Sequence, residues 1–435
     1  MKKDCGSTLS KYSFPLAFAL VALSIGISSW QAIVPYVEHP YRNVTLEVDW
    51  GYLNHGLDKI HSFRDTLRWW TGTWCGEVPF WRPLSSYVFL GMRLIWDKDY
   101  LLPRQILCVL AHLGFVIVSY YFIQRLTGRR WLGLVTVWLF AGYRPLPLFY
   151  ISQLRPVAQT LEDPKNIPDP LVGICVVASL LFLSKGRWFL GLVMAILGVC
   201  FKEIGFTTWP LGLLMLLWMN RGNLRRLPLR DKVSRTLLPI SMWLLGLLLL
   251  VGVHWLSIGA GYRLGTNKTW LWRMCTYLSG SFVNTLFSRN SAAALTALLL
   301  LLVLRLLWRT YLPVKIAGVM TAFAIGAIVD QWLIREGFSV SLVRLLSFDC
   351  LLSDVLACLL WLLIAWEGRG DWQTVVVGWA MAFISALPTW AGAQVQAHAR
   401  YLSSLFMEIA VAAAVVQAGK RLLLIQYKFG KSGFS

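Results

Sequence analysis

The chain has 435 residues, of which 57% are hydrophobic and only 14% charged, and it carries a formal net charge of +20. With a mean hydropathy of +0.60 and apolar runs of roughly 20 residues recurring throughout, each able to cross about 30 Å of hydrocarbon, composition excludes a soluble enzyme on a single anchor. Continuous Leu/Val/Ala runs exclude the alternating strands of a β-barrel, and basic residues scattered among short loops rather than gathered on one face exclude a nucleic-acid partner.

The first apolar run, Phe14 to Val37, follows Lys2, Lys3 and Lys11 in the manner of a signal peptide. It lacks a small-residue cleavage site and is long enough to stay as a first span. Next comes a polar segment, 38–104, that is far longer than a connector needs. Its acids include Asp49, Asp58, Asp65, Glu77, Asp97 and Asp99, interleaved with Arg82, Arg93 and several Trp residues. A loop of this composition points to chemistry or recognition. Asp49, about a dozen residues past the first span, is a candidate general base for a hydroxyl nucleophile, although an exposed loop acid would look the same. Arg82-Pro83-Leu84 reads as a fixed turn into a helix, with Arg82 either paired to an acid or bound to phosphate. Ser86 to Trp96 is too short to span and reads as an interfacial amphipathic helix.

Further spans are expected near 105–124, 131–150 and 169–184, then as a tight pair, Gly186–Cys200 and Thr207–Met219. His112 lies among apolar neighbours in the second span and reads as a hydrogen-bonded packing residue. Asp169 opens the fourth span, where it either caps the helix dipole or serves a site. Lys202-Glu203 stands between two apolar runs with no turn-rich loop around it. Charges so near the bilayer are costly, and adjacent residues point to different sides of a helix, so each should find its own partner.

Candidate spans continue near 236–257, 291–311, 314–333, 349–366, 372–390 and 401–418, about twelve in all. Between them lie a strongly basic loop, 220–235, and a basic-aromatic outer segment with Tyr262, Arg263, Lys268 and Arg273, suited to covering a lipid-linked substrate. His398, Arg400 and Tyr401 sit at the outer entrance of the last span, where Arg400 suits an anionic headgroup or snorkels to the lipid surface. Segments 125–130, 185–187, 221–235, 305–315, 367–371 and 420–431 fall on the side of both termini, and all but the fifth are strongly basic, which places them in the cytoplasm. Asn43-Val44-Thr45 and Asn267-Lys268-Thr269 are formal glycosylation sequons on the opposite side.

Cysteines show no ligand spacing; Cys108, Cys175, Cys200 and Cys358 read as small hydrophobes, while a Cys75–Cys275 disulfide across the outer loops stays open. Acids are numerous enough for a divalent cation, but no spacing selects a metal site, and no certain cofactor is implied. Walker A, GxSxG, HExxH and Rossmann patterns are all missing, as is a soluble nucleotide-sugar domain.

In order, Asp49, Arg82-Pro83-Leu84, His112, Asp169, Lys202-Glu203 and Arg400-Tyr401 resemble the membrane-embedded glycosyltransferases of the GT-C type. The likeness is greatest to the membrane part of the tetratricopeptide-linked O-mannosyltransferases and their bacterial relatives. It covers residues 10–215 well and the rest loosely, and departs at Arg155-Pro156 and the Pro-rich 162–169 stretch. No tetratricopeptide region follows.

The resemblance implies one all-α polytopic domain over 1–435 that transfers a sugar from a polyprenyl-phosphate donor. The acceptor would be a hydroxyl on a glycan, lipid or protein. Asp49 would then be the base and Asp169 a second catalytic acid. Arg82, Lys202 and Arg400 would bind the donor phosphate, and Glu203, Arg263, His398 and Tyr401 would contact donor or acceptor. The expected location is a bacterial inner membrane with the site facing the periplasm, or alternatively the endoplasmic reticulum. The rival class is a transporter or flippase for a lipid-linked saccharide. Transporters place charges near the midplane and show paired repeats, whereas these charges gather at one face.

Overall fold

The computed structural model describes residues 5–40, 55–72, 81–96, 100–141, 157, 160–161, 163–220, 238–258, 364–391 and 401–432. Among these residues the chain is helical, with no strand. Ser13–Glu38, Leu102–Thr127, Pro164–Ser184 and Tyr401–Arg421 are each long and apolar enough to cross a membrane. Shorter apolar stretches are Arg130–Phe140, Trp188–Phe201 and Ile240–His254. This is a helical membrane protein.

Helix α1 (Cys5–Glu38) lies at the periphery, with Leu16, Leu20, Leu23 and Ile27 exposed. On the polar segment, α2 (Phe63–Thr66) is short and begins with a capping box between Ser62 and Asp65. Backbone amides of Ser62 and His61 donate to Asp65 and hold its carboxyl below the ordinary carboxylate range. Pro83 occupies the first turn of α3 (Pro83–Ile95), where its missing N–H costs nothing. The amphipathic helix expected over Ser86–Trp96 therefore begins slightly earlier; it buries Ser85, Ser86, Phe89 and Met92 and exposes Leu94 and Ile95.

Helix α4 (Leu102–Thr127) and α5 (Arg130–Phe140) form a hairpin closed by Gly128, whose φ of 70° is the left-handed conformation glycine adopts freely. The 131–150 span is seen only to Phe140 as helix. Three further helices are α6 (Pro168–Ser184), α7 (Trp188–Phe201) and α8 (Thr208–Asn220). They agree closely with the expected 169–184 span and tight pair. Helix α9 (Leu238–Ile258) joins α8 through reciprocal indole bonds, Trp209 Nε1 to the Trp243 carbonyl at 2.7 Å and Trp243 Nε1 to the Trp209 carbonyl at 3.3 Å.

Helices α10 (Trp372–Ala391) and α11 (Tyr401–Ser432) pack on one another so closely that a Cβ on Gly378 would lie 2.9 Å from the Ala410 nitrogen. The last helix was expected to stop near 418 but continues to Ser432. The charged turn at Lys420-Arg421 is followed by good helix formers rather than a breaker. The expected spans at 291–311 and 314–333, and nearly all of 349–366, lie outside the described residues.

The 26 residues of α4 rise about 39 Å at 1.5 Å each, so its ends belong to opposite membrane faces. At its Thr127 end, Arg125 donates to the Ser184 carbonyl at 3.3 Å and Arg129 pairs with Asp371. Nearby in the sequence, Arg421 binds Glu367 at 2.9 Å. These are segments that charge patterning assigns to one side. The other end of α4 carries buried Arg104 and Gln105.

Candidate functional site

The site begins with a broken helix. After Phe201 the chain leaves the helical path at Lys202, which is extended at φ −162° and ψ 147°. It then makes the 3-10 turn Glu203–Thr207 before α8 restarts. Gly205 permits this. A Cβ there would lie 2.4 Å from both the Gly198 carbonyl carbon and the Val199 nitrogen, so only glycine lets the turn rest on the α7 backbone. Gly198 in turn meets Cys175 of α6, its Cβ position lying 3.3 Å from the cysteine Cβ. The turn, α7 and α6 are thus stacked at backbone distance.

This stacking brings Lys202 onto Asp169. Lys202 Nζ donates to Asp169 Oδ1 at 2.5 Å, and both side chains are buried. Glu203 takes a different partner: Arg82 Nε donates to its Oε2 at 2.9 Å, with Nη2 at 2.8 Å. Each of the adjacent charges has its own partner, as expected, although the extended backbone at Lys202 rather than a helix separates them. Ser85 Oγ donates to the Phe201 carbonyl at 2.6 Å and pins α3 to the end of α7. Asp169 does not cap its helix; Ile167 is the N-cap residue, and the carboxylate is turned to Lys202 instead.

Two oxygens of this cluster, Asp169 Oδ2 and Glu203 Oε1, are buried with no protein hydrogen-bond partner. A Lys ammonium has three donors, so the Asp169 bond leaves Lys202 capacity to donate further.

Beneath the ion pairs, Tyr401 is 1% exposed and its hydroxyl shares a hydrogen bond with His112 Nδ1. Phe115 and Phe140 flank it with ring centroids at 5.0 and 5.1 Å. His112 is the hydrogen-bonded packing residue expected. Tyr401, expected as a substrate contact at the membrane surface, stands in the core with its hydroxyl used by His112. Asp49, Arg263, His398 and Arg400 lie outside the described residues, as do Cys75, Cys275 and both sequons. Cys108, Cys175 and Cys200 are buried free thiols. Among the described residues no group of three His, Cys, Asp or Glu side chains could hold a metal ion.

Sequence reasoning missed several polar residues at this end. Arg104 is buried on the first turn of α4, and Gln105 beside it donates to the Ala32 and Leu161 carbonyls at 3.1 and 2.6 Å. Their signal was a Pro103-Arg104-Gln105 start to an otherwise apolar run. His254 of α9 is half-buried, edge-on to Trp81 at 6.0 Å and to Phe206 at 5.6 Å. It looked like a lone histidine in an apolar span. Glu408, fully buried on α11, was likewise passed over.

No known protein family, curated protein or solved structure matches the chain.

Proposed function

We propose that this protein is a GT-C-type glycosyltransferase of about twelve spans that uses a polyprenyl-phosphate sugar on the outer side of a membrane. The bacterial inner membrane, with the site facing the periplasm, is the leading location. The observation that carries the reading is the helix break at Lys202. It collects two bases and two acids from α3, α6 and the α7–α8 junction into one buried cluster at the end of the bundle opposite the basic loops. A membrane helix interrupted to expose backbone and charge is costly unless it serves a site.

In the proposed reaction Asp49 removes the proton of the acceptor hydroxyl. The oxygen attacks the anomeric carbon, the bond from that carbon to the phosphate oxygen breaks, and polyprenyl phosphate leaves with the electron pair. Configuration inverts. Lys202, with donor capacity beyond its Asp169 bond, and Arg400 hold the departing phosphate, and Arg82 fixes Glu203. Preorganised donors in a desolvated site stabilise developing negative charge more than water does. Holding both substrates at the surface supplies proximity.

Asp49→Asn tests the reading. Asn keeps the shape and the capacity to hydrogen-bond but cannot take the proton. Donor binding should persist while transfer from a polyprenyl-phosphate sugar in nanodiscs falls about 10²–10⁴-fold. Unchanged turnover removes Asp49 from the mechanism. Movement of the lipid-linked sugar across a vesicle membrane, with no new glycosidic bond formed, establishes the transporter class instead.

A further inference from the structure

We propose that Glu203 and Asp169 form the saccharide subsite of this centre, binding sugar hydroxyl groups through their free oxygens, with His254 and Phe206 as its wall. The inference rests on the transferase reading and adds the part of the ligand that this cluster takes.

Each cation is already matched by a carboxylate, so the four charges of Arg82, Glu203, Lys202 and Asp169 sum to zero. What the cluster still lacks is donors for two buried acceptors, Asp169 Oδ2 and Glu203 Oε1. A buried acceptor left unsatisfied is expensive. The phosphodiester of a lipid-linked sugar offers only oxygen acceptors and negative charge, so it satisfies neither atom. A polyol offers O–H donors to both oxygens and acceptors to the remaining N–H groups of Lys202.

Exposure is graded in a way that suits entry from one side. The Glu203 side chain is 15% exposed and that of Asp169 3%, so Glu203 is the more accessible of the two. His254 and Phe206, both half-buried, stand edge to face at the turn that carries Glu203. Apolar ring surface beside a few convergent polar groups is the usual make-up of a small-molecule pocket, and it matches the C–H and O–H surfaces of a sugar ring. Lys202 then marks the border between sugar and phosphate.

The test compares affinities of the full chain in nanodiscs for decaprenyl phosphate and for its mannosyl and glucosyl forms. The parent should bind at least one glycosylated lipid more tightly than the bare lipid. Glu203→Gln should weaken the preferred glycosylated lipid by about ten- to hundredfold, the loss expected for a hydrogen bond to a charged group, and leave the bare lipid within about twofold. His254→Ala removes the ring wall beside Phe206 at a half-buried position and leaves both carboxylates in place, so it should fold even if Glu203→Gln does not, and it should narrow the same gap. Equal binding of bare and glycosylated lipids by the parent overturns the subsite alone. A gap that survives in His254→Ala and in any folded Glu203→Gln also overturns it, as does parallel loss of both lipids. A parent that binds none of the lipids overturns the transferase reading with it.

Discussion

Lys202→Met removes the ammonium that faces Asp169 Oδ1 at 2.5 Å and leaves a carboxylate that is only 3% exposed. At that separation, with an effective dielectric near 20, the pair's attraction is about 7 kcal/mol. Burying each ion costs several kcal/mol, so the intact pair contributes little net stability. The single substitution keeps the Asp169 desolvation cost and loses its compensation. It should therefore destabilise by about 3–5 kcal/mol. Asp169→Leu alone strands the ammonium and should cost a similar amount. Asp169→Leu with Lys202→Met strands nothing.

The double variant should therefore be no less stable than either single, so the coupling energy should be at least the cost of one stranded charge, about 3–5 kcal/mol. Reversible unfolding in mixed micelles, followed by tryptophan fluorescence, measures the cycle. Double-variant destabilisation equal to the sum of the singles, within about 0.5 kcal/mol, refutes the buried pair. The buried pairing also makes Lys202→Ala a poor probe of phosphate binding by itself, since it perturbs the fold. The folded double variant is the better subject, and loss of donor affinity there isolates the ligand role of the pair.

Gly205→Ala drives a Cβ into the α7 backbone at 2.4 Å and should cost about 1–3 kcal/mol. Gly91→Ala, on a helical residue with nothing within 4 Å, should be neutral or stabilising, and equal thermal stability of the two variants refutes the close approach. Reporter fusions at Asn223 and Gln426 should report cytoplasm and those at Glu77 and Lys268 the outer side, because the basic segments flank the former pair. A cytoplasmic signal at Glu77 would put the ion-pair cluster on the wrong face for the proposed reaction.

Helix positions were legible because a span needs about 20 apolar residues and leaves a long, unmistakable signal. Even the short α7–α8 pair could be read, since Lys202-Glu203 interrupts an otherwise apolar stretch. The sequence also told that the two charges take separate partners, although they do so because Lys202 is extended rather than helical. It could not tell where they go. Lys202 meets Asp169 from 33 residues away and Glu203 meets Arg82 from 121, distances set by tertiary packing. Tyr401 shows the opposite failure. Its place after Arg400 suggested the membrane surface, but its partner His112 lies 289 residues earlier and draws the ring inward. A lone histidine such as His254 carries no sequence signal at all until Trp81 and Phe206 are seen against it.

The same long separations bear on how the site is made. Arg82, Asp169 and Lys202-Glu203 arrive on different elements, and the turn that carries the last two is held by glycine contacts with α7 and, through Gly198, with α6. The position of His254 depends in turn on α9, which is locked to α8 by Trp209 and Trp243 and pressed onto Leu192 at Gly246. No fragment holding only α6 to α8 therefore contains the whole constellation. Four charges buried without their partners would each carry an uncompensated desolvation cost, so the cluster can persist only once these elements have packed. That coupling explains why a costly arrangement is sustained at one end of an otherwise apolar bundle. The packing of the helices supplies the stability, and the cluster uses it to hold two acceptor oxygens in place for a ligand.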